Sequence, residues 1–230
     1  MANVYSFPKR ADIPKYPPVK YNISAKADVG EIIMYGVIGD PYDGISAKQL
    51  ATDLKKLSGV KKLDIRINSP GGFVSDGRTI FNQLKAFQAK KKTVYIDGEA
   101  SSIASLIAMA GDEVVMGEGS LMLVHRAWGL TIGNSDDHQK SIRDLETVDK
   151  TLIDTYCART KMKPDECMAL MKEDRYMDAA EAVERGFADV AEGGMKMAAL
   201  VVDREALHLP ALPAMAHPSW VKALSSLSRI

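Results

Sequence analysis

VYIDGEASSIASLIAMAG (94–111) opens with a β-branched and aromatic run, Val94-Tyr95-Ile96, that favours a buried strand. Asp97-Gly98 breaks the run, and from Ala100 the residues are small or apolar with no charge until Asp112. Gly111 is placed to end a helix. The stretch therefore predicts a strand that feeds, through a tight turn, into a short buried helix. A serine falls near that helix's first turn, where free backbone N–H groups and the positive end of the helix dipole concentrate. Acyl transfer needs a hydroxyl nucleophile at such a place, beside donors that can hold a developing oxyanion. Ser102 is the candidate nucleophile.

Upstream, 63–67 reads as a strand that runs into Asn68-Ser69-Pro70-Gly71-Gly72. Pro70 fixes φ and removes a donor, while Gly71 and Gly72 permit backbone geometries closed to other residues. On these residues alone it reads first as an ordinary strand-to-helix turn, and it can also present a bare N–H to a ligand. A helix follows to about Lys90 with Ile80, Phe81, Leu84 and Phe87 inward, and the Lys90-Lys91-Lys92 cluster reads as its solvated end. Further back, 21–38 reads as two strands separated near residues 28–30. The turn-rich GDPYDG (39–44) follows, and Ser46 caps a helix whose Leu50, Leu54 and Leu57 share a face up to Gly59.

Downstream come two short strands, 113–116 and 121–125, around the turn GEG (117–119). His125 closes the second, at the kind of sheet edge where open α/β folds place their sites. A loop spans 126–135, and a long helix is predicted from about Asp136 to Thr160. Its apolar positions Ile142, Leu145, Val148, Leu152 and Tyr156 wander round the face, as in a helix that projects and packs against another subunit or merely braces the body. Pro164 opens a helix to Lys172. Asp178 and Glu181 read as a capping box for a helix ending at Gly186, and 187–191 as the last strand. Residues 1–20 carry four prolines and read as a flexible arm; 193–230 reads as an appendage.

The 230 residues, 46% hydrophobic, suit one α/β domain with appendages. Thirty basic and thirty acidic residues balance, so nothing advertises nucleic acid or an anionic membrane. Cys157 and Cys167 make neither a disulfide framework nor a metal site, and the four histidines lack metal-ligand spacing. No signal peptide is visible, and the apolar run 103–110 is too short to span a bilayer. These features predict a soluble, cytoplasmic protein with no cofactor, no metal, no nucleic-acid partner and no membrane partner.

Three segments, INSPGG (67–72), GEASSIASLIAMAG (98–111) and LMLVH (121–125), stand in the order and spacing of the Clp-type serine peptidases, the proteolytic subunits of the caseinolytic protease. DRYMDAAEAVERGFAD (174–189) resembles the segment bearing that family's third catalytic member. The resemblance covers about 31–190 and is strongest to the phage head maturation branch, which trims scaffold or capsid precursors. It implies an α/β fold of Clp/crotonase type, a superhelix of β-β-α repeats over 21–192, with 136–160 as a projecting handle. It also implies a serine endopeptidase acting on protein or peptide substrates inside a homo-oligomeric chamber, with rings of seven, singly or stacked. By resemblance the nucleophile is Ser102, the general base His125 and the charge partner Asp174. The turn Gly71-Gly72 belongs to the oxyanion and substrate site, whose donors are the N–H groups of Gly72 and Ile103. Ser101 is the nearest rival nucleophile, and Ser105 is expected to be buried by packing. Phe73-Val74 would pair with substrate as an added strand.

The 1–20 arm does not look like the axial loops that engage an unfoldase, and the 193–230 tail exceeds the family's minimum, so an ATPase partner stays open. Phage or prophage encoding would place the protein in a bacterial host's cytoplasm. Three rivals remain: crotonase-like acyl-CoA enzymes, which share the oxyanion hole without the serine; membrane-associated signal-peptide peptidases with a Ser–Lys dyad; and an inactive structural ring or assembly factor. Ser102 with His125 argues against the first, and His125 without a membrane segment against the second.

Overall fold

A computed structural model of the chain describes residues 19–39 and 44–192. The expected arm (1–20, apart from its last two residues), the centre of GDPYDG and the 193–230 appendage lie outside the described residues. Among the described residues eight strands are seen: β1 (Lys20–Lys26), β2 (Val29–Tyr35), β3 (Lys62–Ser69), β4 (Lys91–Ser101), β5 (Glu113–Met116), β6 (Leu121–Leu123), β7 (Tyr176–Asp178) and β8 (Val190–Ala191). Six helices accompany them: α1 (Ala47–Lys56), α2 (Val74–Ala86), α3 (Ile103–Ala108), α4 (Ser135–Thr160), α5 (Pro164–Glu173) and α6 (Ala179–Glu184). The mixed α/β architecture agrees with the fold class expected from the sequence.

The main sheet runs in the order β1-β2-β3-β4-β5-β8, with β1 antiparallel and the rest parallel. Its strands alternate. One face buries Ile32, Met34, Leu63, Ile65, Ile67, Val94 and Ile96 in the core. The opposite face of the central strands carries Arg66, which pairs with both oxygens of Asp97, and Tyr35, whose hydroxyl donates to Asp97 at 2.6 Å. The helix before β3 starts where expected, with Ser46 Oγ accepting from the backbone N–H groups of Lys48 and Gln49.

The feature that positions the site is the length of β4. The sequence predicts a break at Asp97-Gly98; instead the strand bends there and continues to Ser101, eleven residues in all. The register against β3 slips between Ile67 and Ser69, so that β4 spends extra residues opposite Asn68. Asn68 fills the interrupted ladder by accepting the Glu99 N–H on its side-chain oxygen at 3.2 Å. Beyond the bend β4 leaves β5 and takes β6 as its parallel partner, and β6 pairs antiparallel with β7. A small second sheet, β4–β6–β7, is thereby hung on the end of the first.

Other differences from expectation have local causes. α3 begins at Ile103 rather than Ala100, because 100–101 still belong to the strand. Gly111 does not close α3, which ends at Ala108. α2 ends at Ala86, so Lys91 and Lys92 open β4 instead of ending a helix. Lys92 is buried, and its Nζ donates to the carbonyls of Lys85 and Phe87 near the α2 C-terminus. Only Val190–Ala191 of the expected last strand pairs. Asp178 does cap α6, accepting the Glu181 N–H, but the Glu181 carboxylate turns to Arg175 and Arg185 rather than completing a capping box. β7 was not expected at all.

The long helix, predicted over 136–160, spans Ser135–Thr160 and is opened by an Asn134 capping box. Its 26 residues extend about 39 Å at ~1.5 Å per residue. Burial is confined to Asp149, Leu152, Ile153 and Tyr156, an i, i+3, i+4, i+7 set on one face. The first half is exposed or half-buried and stands clear of the body.

Candidate active site

The small sheet explains why three residues far apart in sequence meet. Ser101 on β4 lies in register with Leu123 on β6, and Leu123 with Tyr176 on β7. Ser102 therefore follows the end of β4, His125 lies two residues past the end of β6, and Asp174 lies two residues before the start of β7. All three emerge at the same edge, the carboxyl end of the parallel strands.

Ser102 sits at the N-cap of α3 with φ 54° and ψ −128°. A non-glycine residue in that region costs on the order of 1–3 kcal/mol and persists only where its surroundings over-determine it. Here its N–H donates to the Leu123 carbonyl at 2.9 Å, and its carbonyl accepts from Ser105 Oγ at 2.5 Å. Its hydroxyl is 2.7 Å from His125 Nε2. With Nε2 unprotonated, the hydroxyl donates, which is the arrangement a general base needs. On the other side of the ring, Nδ1 is 3.5 Å from Asp174 Oδ1. Asp174 caps α5 in the left-handed conformation, φ 47°, and its side chain is 66% exposed. Arg175, next in the chain, is fixed to Glu173 and to both oxygens of Glu181.

Gly71 and Gly72 complete the cradle. Both have positive φ, 96° and 148°. A Cβ on Gly71 would stand 2.6 Å from Ser102 Cβ, and one on Gly72 would stand 2.1 Å from the Ile38 carbonyl oxygen. The turn thus needs glycine for close approach as well as for its dihedrals. Its outer bonds are fixed: the Gly71 N–H donates to Ser69 Oγ, the Gly71 carbonyl accepts from Ile38, and the Phe73 N–H donates to Ile38. The N–H groups of Gly72 and Ile103 donate to no group among the described residues, the second because it opens a helix. Gly71 itself brings no free donor.

The cleft around these groups has a volume of about 1220 Å³ and is walled by Phe73, Arg126, Trp128, Leu152, Tyr156 and Met171, among others. The rival serines are accounted for. Ser101 is buried and donates to Glu99 at 2.8 Å, whereas Ser105 is fully buried, as expected. Asp178 is a helix cap, and Asp112 accepts the Lys92 N–H. Ser69 was not singled out from sequence, nor were Asp149 and Tyr156 assigned roles at the site. Spacing along the long helix was their one available signal, since 149, 152, 153 and 156 share a face.

Among the described residues no helix is long and apolar enough to cross a membrane, and no group of His, Cys, Asp or Glu is arranged to hold a metal ion. The chain is similar to the ATP-dependent Clp protease proteolytic subunit of Deinococcus radiodurans. The two are 26% identical over 157 residues, 66% of this chain and 76% of that relative. A model of the Clp protease family matches residues 21–192, the span that holds the strained serine, the histidine and the glycine turn. By that match, and with the fold in agreement, the chain belongs to the Clp protease family.

Proposed function

We propose that this protein is a serine-type endopeptidase that cleaves protein or peptide substrates with Ser102, His125 and Asp174. The observation that carries the reading is the 2.7 Å approach of His125 Nε2 to the hydroxyl of a serine held in a strained turn. In attack, Ser102 Oγ bonds to the scissile carbonyl carbon while its proton passes to Nε2. The carbonyl electrons move onto oxygen, and the free N–H groups of Gly72 and Ile103 are the donors available to that oxyanion, each worth on the order of 10²–10³ in rate in comparable sites. Collapse breaks the C–N bond, and the proton on Nε2 leaves with the amine. Water then repeats the sequence on the acyl-enzyme. Asp174, facing Nδ1, would hold the ring's tautomer and stabilise the imidazolium.

The proposal extends to assembly in homo-oligomeric rings of seven, singly or stacked, with the sites facing an enclosed chamber. Its support is the exposed apolar series Trp128, Leu130, Ile132 and Ile142, between 55% and 77% exposed, along the 126–134 loop and the projecting half of α4. The finer reading, processing of scaffold or capsid precursors during phage head maturation in a bacterial cytoplasm, follows the resemblance of the motifs. An ATPase partner is not part of the proposal; the dependence on ATP in the relative's name describes that protein. The proposed organisation is a peptidase domain over 21–192 flanked by a short arm and a C-terminal appendage.

One observation favours the rival of a structural ring without activity: Asp174 is 3.5 Å from the imidazole and largely exposed. Fluorogenic peptide cleavage by wild type and by Ser102→Ala separates the two. Turnover lost in the variant supports the peptidase, and no turnover by the assembled wild type supports the structural ring.

A further inference from the structure

The long helix reaches the site at two places. Tyr156 is fully buried, its ring edge-on to Phe187 with centroids 5.5 Å apart. Its hydroxyl is 2.8 Å from Ser105 Oγ, and Ser105 in turn donates to the carbonyl of Ser102 itself. With the Ser105 proton committed to that carbonyl, the phenol is the donor in the outer bond. Burial raises the phenol's pKa, which keeps the donor proton in place. Two turns earlier on the same face, Asp149 is 1% exposed. Its two oxygens accept from Arg126 Nε and from the Ala127 N–H, both at 2.7 Å. Those are the two residues that follow His125.

We infer that Asp149 and Tyr156 are positioning residues: from one face of α4 they hold the base and the nucleophile in mutual register. The inference rests on the peptidase reading above and deepens it. Ser102 occupies a strained backbone conformation whose carbonyl is held by the Ser105 N–H at 3.0 Å and, beside it, by the Ser105 hydroxyl that Tyr156 fixes in place. His125 leaves a three-residue strand into a segment without regular structure, and Asp149 fixes that segment from its first residue. A buried carboxylate needs such partners in any case, but both of them directly follow the base in the chain. Because the rest of α4 projects from the body, a displacement of the helix would reach both reacting groups together.

The test is kinetic and is normalised per active site. Tyr156→Phe keeps the ring and removes the hydroxyl; Ser105→Ala removes the relay; Asp149→Asn keeps an acceptor and removes the charge. Active sites are titrated with a fluorophosphonate, and kcat and KM for a fluorogenic peptide are measured on the titrated fraction of the full chain. Positioning predicts that kcat per titrated site falls roughly tenfold to hundredfold, with KM within about twofold. The Tyr156→Phe/Ser105→Ala double variant should be no slower than the worse single, because both act through one chain of bonds. A merely structural role would lower the number of titratable sites and leave turnover per site unchanged; that result overturns the inference while the peptidase reading stands. A wild type that neither titrates nor cleaves overturns the peptidase reading, and the inference with it.

Discussion

Gly71→Ala is the substitution whose cost follows most directly from the structure. The new methyl carbon would lie 2.6 Å from Ser102 Cβ and 2.8 Å from the Ser101 carbonyl oxygen. Carbon atoms prefer a separation of about 3.5–4.0 Å, so the nucleophile or the turn must give way by about 1 Å. Left-handed backbone costs a non-glycine residue about 1–2 kcal/mol, and overpacking adds about 1–3 kcal/mol. The expected loss of stability is therefore about 2–5 kcal/mol. A 1 Å displacement of a reacting group costs on the order of 10²-fold in rate, or about 2.7 kcal/mol of activation free energy. Gly59 supplies the control, with φ 92° and no atom within 4 Å of its added Cβ. Gly59→Ala should lose only the backbone contribution, about 1–2 kcal/mol, and keep its kcat/KM. Urea unfolding and peptide kinetics on the folded fraction measure the two effects separately. A Gly71→Ala variant that cleaves at the wild-type rate, or a Gly59→Ala variant equally impaired in cleavage, refutes the close-approach reasoning.

Two further predictions concern pH and assembly. Hydrogen bonds from Arg175, reinforced by Arg185, pull the Glu181 carboxyl down from 4.5 to about 2. A carboxylate depressed in the folded state contributes stability that is fully present above its unfolded pKa and lost as pH falls through the folded value. Wild type should therefore lose stability between pH 4.5 and 2, and Glu181→Gln should flatten that part of the unfolding profile; an unchanged slope would show that the ion pairs around Arg175 contribute nothing there. Trp128→Asp, Ile132→Asp and charge reversals at Glu146 and Lys150 should shift the protein toward smaller species in light scattering without loss of circular dichroism. A wild type that is monomeric and fully active at micromolar concentration would defeat the chamber proposal.

Legibility in the sequence tracked how local the deciding physics is. The long helix was read to within one residue of its start, because its spaced apolar positions and charged remainder are local signals. Alternation in β3 was equally plain, since Asp64 and Arg66 interrupt buried Leu63, Ile65 and Ile67. The bend in β4 was not legible. Asp97-Gly98 looks like a strand end, and only the carboxamide of Asn68, thirty-one residues before the Glu99 whose N–H it accepts, shows why the chain can stay extended. β7 escaped for the same reason: three residues acquire their strand character from pairing with β6. Ser102 and His125 were named from their places at strand ends and by resemblance, and the structure brings them to 2.7 Å of one another. Asp174 was named from resemblance alone, and the structure brings its carboxylate to 3.5 Å from the ring. The clamp from α4 was hidden because a buried acid and a buried tyrosine on one helix face look like ordinary packing until their partners are known.

Covalent labelling of the assembled protein with a fluorophosphonate, followed by peptide mapping of the adduct, tests the central proposal most directly. A serine activated by His125 should carry the adduct at Ser102, with labelling abolished in Ser102→Ala, strongly slowed in His125→Ala and retained in Ser101→Ala. An adduct on Ser101, or cleavage activity that persists in a Ser102→Ala preparation, would contradict it.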